Sequence, residues 1–284
     1  METKISMKIT VWGCRGSLPS PGPEKDFYGG NTSCVQVIHK DTCIILDGGS
    51  GIQRLGAFLK NDFKEVHIML SHLHIDHTMG LGFFLPLYNP NVNVHIWGPA
   101  TSNESLLERL RRYFSPPLFP VRLNELPTHP QIHEIHRSEI KIGEISISTD
   151  YICHPGPTLG FRISCGNSVF TYMPDHEIPL GSANFPNEPE WISGVDLAKD
   201  ADLLFHDAQY RPSEYANRVG WGHSSVEDTL TYAKLCNVKK LALFHHDPAH
   251  TDEQLNQLLK EFTEHKKFDF DVEMCAEGNV YDLS

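Results

Sequence analysis

No run in this chain is apolar enough to cross a bilayer. The longest hydrophobic stretches, "CIILD" and "VHIML", fall far short of the roughly 20 residues a spanning helix needs. The N-terminal "METKISMKITVWGC" lacks an apolar core followed by a small-residue cleavage site, so export is not expected. Cysteine occurs at only seven positions (14, 34, 43, 153, 165, 236 and 275), an odd number never spaced CxxC. That pattern excludes a disulfide framework and a structural zinc knuckle, and points to reduced thiols in the cytoplasm. Positive charge is also short: 24 Lys and Arg against 36 Asp and Glu leave a formal net charge of −12. A broad nucleic-acid-binding face would need clustered cations that this balance does not supply. Low-complexity linkers and internal repeats are missing too, so nothing divides the chain. At 284 residues and 40% hydrophobic, it can bury one large core.

Histidine, by contrast, is abundant, with 17 copies. "SHLHIDHTMG", from Ser71 to Gly80, packs His72, His74, Asp76 and His77 into six residues. Neither a surface loop nor a core has a use for such a cluster without partners, because burying these groups alone is costly. Around it, short β-branched and alternating runs read as strands: "KITVWG", "SCVQVIH", "CIILDGG", "EVHIMLSH", "VNVHIWGP", "EISISTDYICH", "GFRISCG", "SVFTYMPD", "ADLLFHDA" and "KKLALFHHD". Helical periodicity appears in "GIQRLGAFLKN", "NESLLERLRRYF", "SVEDTLTYAKLCN" and "TDEQLNQLLKEFTEHK". The last follows Thr251 with acidic residues in its first turn, a good start signal. Strands and helices interleave throughout, so one α/β domain spanning 1–284 is expected. "MGLGFFLPLY" is expected to continue as an apolar helix. The proline-rich "YFSPPLFPVRLNELPTHP" is expected to form an inserted flap or loop.

The cluster lies where "EVHIML" ends, on a loop leaving the strand's C-terminal edge, the usual place for a ligand site in an α/β fold. His72 and His74 can face one way, and Asp76 and His77 a second centre nearby. The motif therefore suits two metal ions, each needing further ligands from elsewhere. Other strand ends offer them: His154, Asp175, His206 with Asp207, and His245 with His246, while His223 sits in a glycine-rich loop before a helix. His39, His67, His95, His129, His133, His136 and His265 sit in strand-like or polar stretches without ligand spacing and are read as surface or core residues.

The ordered set His72-x-His74-x-Asp76-His77, His154, Asp175 and His245 resembles the metallo-β-lactamase superfamily, with Asp47 of "ILDGGSG" as its earlier aspartate. The resemblance covers nearly the whole chain. It implies an αββα sandwich, two packed mixed β-sheets flanked by helices. "LLFHDAQY" and "GHSS" look like the paired segments of tRNase Z and its phosphodiesterase relatives, and "GCRGSLPSPGPEKDFYGGNTSCVQV" like their N-terminal glycine loop. Asp207 departs from the glutamate of tRNase Z, and no long Gly/Pro-rich arm for holding tRNA is visible. Flavodiiron relatives carry Glu where His74 stands, so hydrolysis is favoured over redox chemistry.

By that resemblance, His72, His74 and His154 hold one zinc and Asp76, His77 and His245 a second, with Asp175 bridging. Manganese or iron(II) also suits such a mixed N/O site. A hydroxide shared by the ions would attack phosphorus. His223, oriented by Asp207, would protonate the leaving alkoxide, and Asp76 joins these two as a catalytic residue. Asp47 would brace the metal loop, while His176, His206 and His246 stand beside better candidates. The segment Arg109–Val121 could overhang the site with basic and aromatic contacts, although charge runs are commonly only surface.

The expected function is thus a phosphodiesterase acting on a cyclic nucleotide or another small phosphodiester. A tRNase Z-like RNA 3′-end endonuclease is the alternative, and a non-catalytic metal-binding sensor the rival of another class. Thioester, lactone and β-lactam hydrolysis stand further back. No membrane partner is expected, and a homodimer is allowed by a sequence that does not set the oligomeric state.

Overall fold

Tight turns and helical crossovers decide how the strands pair. The computed structural model describes residues 7–59, 62–178, 185–186, 188–264 and 266–284. The first sheet takes β1 (Met7–Gly13), β2 (Cys34–His39), β3 (Thr42–Leu46), β4 (Glu65–Met69), β5 (Asn93–Pro99) and β6 (Gln131–Ile135). The second takes β7 (Ser138–Ile142), β8 (Ile145–Tyr151), β9 (Leu159–Cys165), β10 (Ser168–Met173), β11 (Leu203–Asp207), β12 (Lys240–Phe244) and β13 (Asp271–Met274). The last strand, β14 (Val280–Leu283), returns to the first sheet beside β1.

Two-residue turns join β2 to β3, β7 to β8 and β9 to β10. Each begins in the left-handed region, at Lys40 (φ 52°), Gly143 (φ 58°) and Gly166 (φ 59°). Such turns match the twist of an antiparallel pair. Parallel pairing needs a longer crossover. Here α1 (Ile52–Leu59) separates β3 from β4, and α3 (Leu106–Tyr113) separates β5 from β6. Likewise α6 (Val226–Leu235) and α7 (Asp252–Thr263) connect β11, β12 and β13. Thr251 and Gln254 cap α7 reciprocally, as its sequence predicts. Three shorter helices, α2 (Ile75–Thr78), α4 (Val195–Ala198) and α5 (Pro212–Tyr215), lie in the connections.

The sheets stack through a dry layer that includes Val35, Val37, Ile44 and Leu46 from one side and Phe161, Phe170, Phe205 and Phe244 from the other. Each such side chain stabilises the fold by roughly 1.5–3 kcal/mol through burial. Helices α1 and α3 cover the outer face of the first sheet, and α4, α6 and α7 that of the second. This is the αββα sandwich the resemblance implied. No helix among the described residues is long and apolar enough to cross a membrane.

One expectation is corrected. "MGLGFFLPLY" is not one apolar helix: after α2 the chain makes 3-10 turns over Leu81–Phe83 and Leu85–Tyr88. Gly80 donates its N–H to the Gly48 carbonyl (2.9 Å), which diverts the backbone, and Pro86 has no N–H to give a continuing helix. The proline-rich segment forms the expected loop, with one 3-10 turn over Leu123–Glu125. Phe114, Phe119, Leu123 and Leu126 are buried in the helix-side cluster of the first sheet. Tyr113 donates to the Met79 carbonyl (2.6 Å), so the stretch Arg109–Val121 braces the end of α2. His265 lies outside the described residues.

Candidate metal centre

Register sets the site. Leu46 pairs with Met69, Met173 with His206, and Asp207 with Phe244, so β3, β4, β10, β11 and β12 finish level. Asp47, the His72–His77 loop, Asp175, Asp207 and His245 therefore meet along one edge, where β8 also delivers His154.

Two groups of ligand atoms result, each with its members within 4.8 Å of one another: His72, His74 and His154, and Asp76, His77, Asp175 and His245. In the first, His154 Nε2 lies 3.1 Å from His74 Nδ1, and His154 Nδ1 donates to the Gly222 carbonyl at 2.7 Å. In the second, His77 Nε2 stands 3.3 Å from His245 Nε2 and 3.0 Å from Asp175 Oδ2. The Nε2 of His245 is 3.2 Å from Asp76 Oδ2. Asp175 reaches both groups, with Oδ1 3.4 Å from His245, 3.7 Å from His154 and 3.9 Å from His72.

The nitrogens of His77 and His245 turned away from the centre are committed. Asp47, fully buried at φ 60°, accepts from Ser71 N (2.7 Å), Tyr172 Oη (2.9 Å) and His77 Nδ1 (2.8 Å). His245 Nδ1 donates to Gln209 Oε1 at 3.2 Å, and the backbone N–H of Ser17 donates to Asp76 Oδ2 at 2.8 Å. Gly16 has no side chain because a Cβ there would sit 2.4 Å from His245 Nδ1. These contacts fix which ring nitrogen keeps its lone pair for the centre.

The charges follow. Burial, reinforced by His77, holds His72 well below the usual histidine range, so it stays neutral as a ligand must. Burial also opposes charge on Asp175, but His245, His77 and His72 outweigh it and keep the carboxylate ionised. His77 is pushed the other way: against burial, Asp175, Asp76 and Asp47 raise it well above the ordinary value. At the heart of the cluster, His72 Nε2 is buried without a hydrogen-bond partner, and Asp175 Oδ2 has only the His77 ring nitrogen nearby, at 3.0 Å and outside hydrogen-bond geometry. Orphaned lone pairs of this kind are costly, and a divalent cation would satisfy both. The donor set of imidazole and carboxylate fits zinc or a similar ion.

His223 Nδ1 donates to Asp207 Oδ2 at 2.7 Å and stands 3.8 Å from Asp175 Oδ1, while its ring stacks on His245 with centroids 4.9 Å apart. Every metal-ligating residue expected from the sequence is thus in one place, with His223 and Asp207 beside it. Among the remaining histidines, His176 and His206 form a buried pair (2.9 Å) against Tyr232, and His246 donates to the Cys275 carbonyl at 2.7 Å. A third group, Glu65, His67 and His95, gathers at the opposite end of β4 and β5. There the Trp97 indole N–H donates to His67 Nδ1 (3.2 Å), so neutral His67 carries its proton on Nε2, toward Glu65 at 2.9 Å. That tautomer suits a hydrogen bond and not a metal ion. Sequence reasoning missed Ser17, Gln209 and Glu177. Only Glu177, a charge two residues after Asp175 at a strand end, carried a local signal.

A family model described as "Beta-lactamase superfamily domain" matches residues 44–246. Ribonuclease Z from Haloarcula marismortui is 24% identical over 281 residues, covering 85% of this chain and 86% of its own. The metallo-beta-lactamase fold protein YhfI from Bacillus subtilis superposes with a TM-score of 0.70 at 20% identity, covering 98% of this chain and 100% of its own. A diphosphatase from the PhnP family gives 0.68 at 16% identity, covering 98% and 97%. At these identities the solved structures establish a shared fold.

Proposed function

The chain belongs to the beta-lactamase superfamily domain family, and from that footing we propose that it hydrolyses a small phosphodiester, a cyclic nucleotide being one such substrate. It would work as a single domain with two divalent ions, most simply zinc. His72, His74 and His154 would hold one ion, Asp76, His77 and His245 the other, and Asp175 both. When bound, the ions would activate water and neutralise charge on the phosphoryl oxygens.

The observation that carries this proposal is the His223–Asp207 pair beside the ligand cluster. An alkoxide leaving phosphorus needs a proton, and ester chemistry with good leaving groups does not. Burial disfavours the charged imidazole, but Asp207, then Asp175 and Asp76, outweigh it and raise His223 to about 9. Asp207 is in turn held by the backbone N–H groups of His176 (3.2 Å) and Gln209 (3.0 Å). With Nδ1 committed to Asp207, the Nε2 side of the charged His223 ring is left to give its proton to the leaving oxygen.

The exposed residues near the centre would suit a compact substrate. Leu18, Ile75 and Trp221 are exposed close in sequence to Ser17, Asp76 and His223, which suits an apolar or aromatic body such as a nucleoside. Arg15 of the glycine loop is fully buried and donates to the carbonyls of Gly29, Asp247 and His250, so it is not free to hold a phosphate backbone. The second proposal, cleavage of RNA near its 3′ end, draws on the relative named Ribonuclease Z. The free cysteines suit a reducing cytoplasm.

The test loads the protein with zinc and screens bis-p-nitrophenyl phosphate, cyclic nucleotides, a thioester and a pre-tRNA. Elemental analysis should find about two ions per chain, and protein purified without chelator that holds none refutes the proposal. His223→Ala should keep its metal yet lose roughly 100-fold in turnover on an alkoxide leaving group. Bis-p-nitrophenyl phosphate should be partly spared. Equal losses on both substrates would mean that His223 does not act as the acid.

A further inference from the structure

Glu177 is a fully buried carboxylate that nothing in the chemistry above uses. Burying such a charge is costly unless donors satisfy it. The donors it has are neutral: Tyr215 Oη at 2.8 Å and Gly220 N at 2.7 Å to Oε1, and Gly222 N at 2.8 Å to Oε2. Two of the three are backbone N–H groups of the tripeptide that precedes His223. That tripeptide is bent, with Gly220 at φ 87° and Gly222 at φ 90°, a conformation that side chains resist. It also lies against His154, since a Cβ on Gly222 would fall 2.3 Å from His154 Nδ1.

The bend has two consequences for the site. The Gly222 carbonyl accepts the Nδ1 proton of His154, which leaves His154 Nε2 with its lone pair toward the metal ligands. The next residue is His223, whose ring must meet Asp207. Glu177 also donates its own backbone N–H to the Cys153 carbonyl at 2.8 Å, beside His154. One buried residue, through its side chain and its backbone, therefore ties together the loops that follow β8, β10 and β11.

We propose that Glu177 is a positioning residue: it clamps the Gly220–Gly222 bend so that His223 is aimed at the leaving oxygen. The inference rests on the role proposed for His223. A carboxylate is required because both oxygens must accept. A glutamine at 177 would turn an NH2 toward either Gly222 N or the Gly220–Tyr215 side, and two donors would then face each other.

The test is Glu177→Gln in the zinc-loaded protein, alone and combined with His223→Ala. We expect turnover of a dinucleoside phosphate, with its alkoxide leaving group, to fall roughly 10–100-fold. Loss on bis-p-nitrophenyl phosphate should be under about 3-fold, and the double variant no worse than His223→Ala alone, because residues that act as a unit are not additive. Hydrogen exchange of the zinc-free protein should show lost protection confined to the peptide spanning 218–224. Tyr215→Phe, which removes one donor and keeps both backbone contacts, should give a smaller change of the same kind if the glutamine variant does not fold. Equal losses on both substrates with additive effects, or exchange that rises throughout the chain, would make Glu177 merely structural and overturn the proposal. If His223→Ala is itself indifferent to leaving group, the acid role fails separately. The clamp then stands or falls on the exchange pattern.

Discussion

Asp47 touches no ligand atom of the centre, yet replacing it with asparagine should empty half of it. Its Oδ1 accepts from the backbone N–H of Ser71, which can only donate, so the asparagine must place its carbonyl oxygen there. The NH2 then faces Tyr172 Oη and His77 Nδ1. The tyrosine hydroxyl can rotate to accept. His77 can accept only by giving up its Nδ1 proton, and neutral imidazole then carries that proton on Nε2, the nitrogen 3.0 Å from Asp175 and 3.3 Å from His245. That nitrogen is lost as a ligand until the hydrogen bond breaks. Losses of such supporting partners run to 10–100-fold in metal affinity, about 1.4–2.7 kcal/mol. A chromophoric chelator competing for zinc should therefore show one site weakened by that factor in Asp47→Asn and the other unchanged. Asp47→Ala, by contrast, strands buried donors at roughly 1–3 kcal/mol each, and its main effect should be on stability. If Asp47→Asn holds both ions as tightly as the parent protein, His77 does not bind through Nε2 or Asp47 does not set its tautomer.

Asp175→Ala should weaken both ions, because its two oxygens reach into both ligand groups. Departure of only one ion in the same titration would make it an ordinary ligand. His206 gives a pH dependence: burial lowers it from 6.5 to about 4 in the folded chain. Above about pH 6.5 neither folded nor unfolded His206 is charged. As pH falls from there to about 4, the unfolded chain takes the proton first and about 3 kcal/mol of stability is lost. His206→Gln should flatten that part of the urea-stability profile between pH 7 and 4.5, and parallel profiles would refute the assignment. With a net charge of −12 and Arg15 turned inward, RNA binding should be weak with a shallow salt slope. Tight, steeply salt-dependent binding of pre-tRNA with cleavage at one 3′ position would favour the nuclease instead.

Much of this protein is written locally. "IDH" after "SHLH" places its ligands within one loop, and the paired residues Thr251 and Gln254 start α7 wherever it packs. The ten strand-like runs recognised in the sequence all form strands, because alternating or continuous apolar residues can be buried in only a few ways. Strands β6, β7, β13 and β14 were not legible. "QIHEI", "SEIKI", "DVEM" and "VYDL" are half polar, and pairing with a neighbour at or near the sheet edge makes them strands. The site divides in the same way. Residue types and order mark His72, His74, Asp76, His77, His154, Asp175 and His245 as candidates. Which ring nitrogen each one presents depends on Asp47, Gln209 and the Gly222 carbonyl, partners 30 to 68 positions away from the histidines they orient. Glu177 meets the bend before His223 only because β10 and β11 lie side by side and parallel. A hydrogen bond acts over about 3 Å, and sheet register alone brings such distant residues that close.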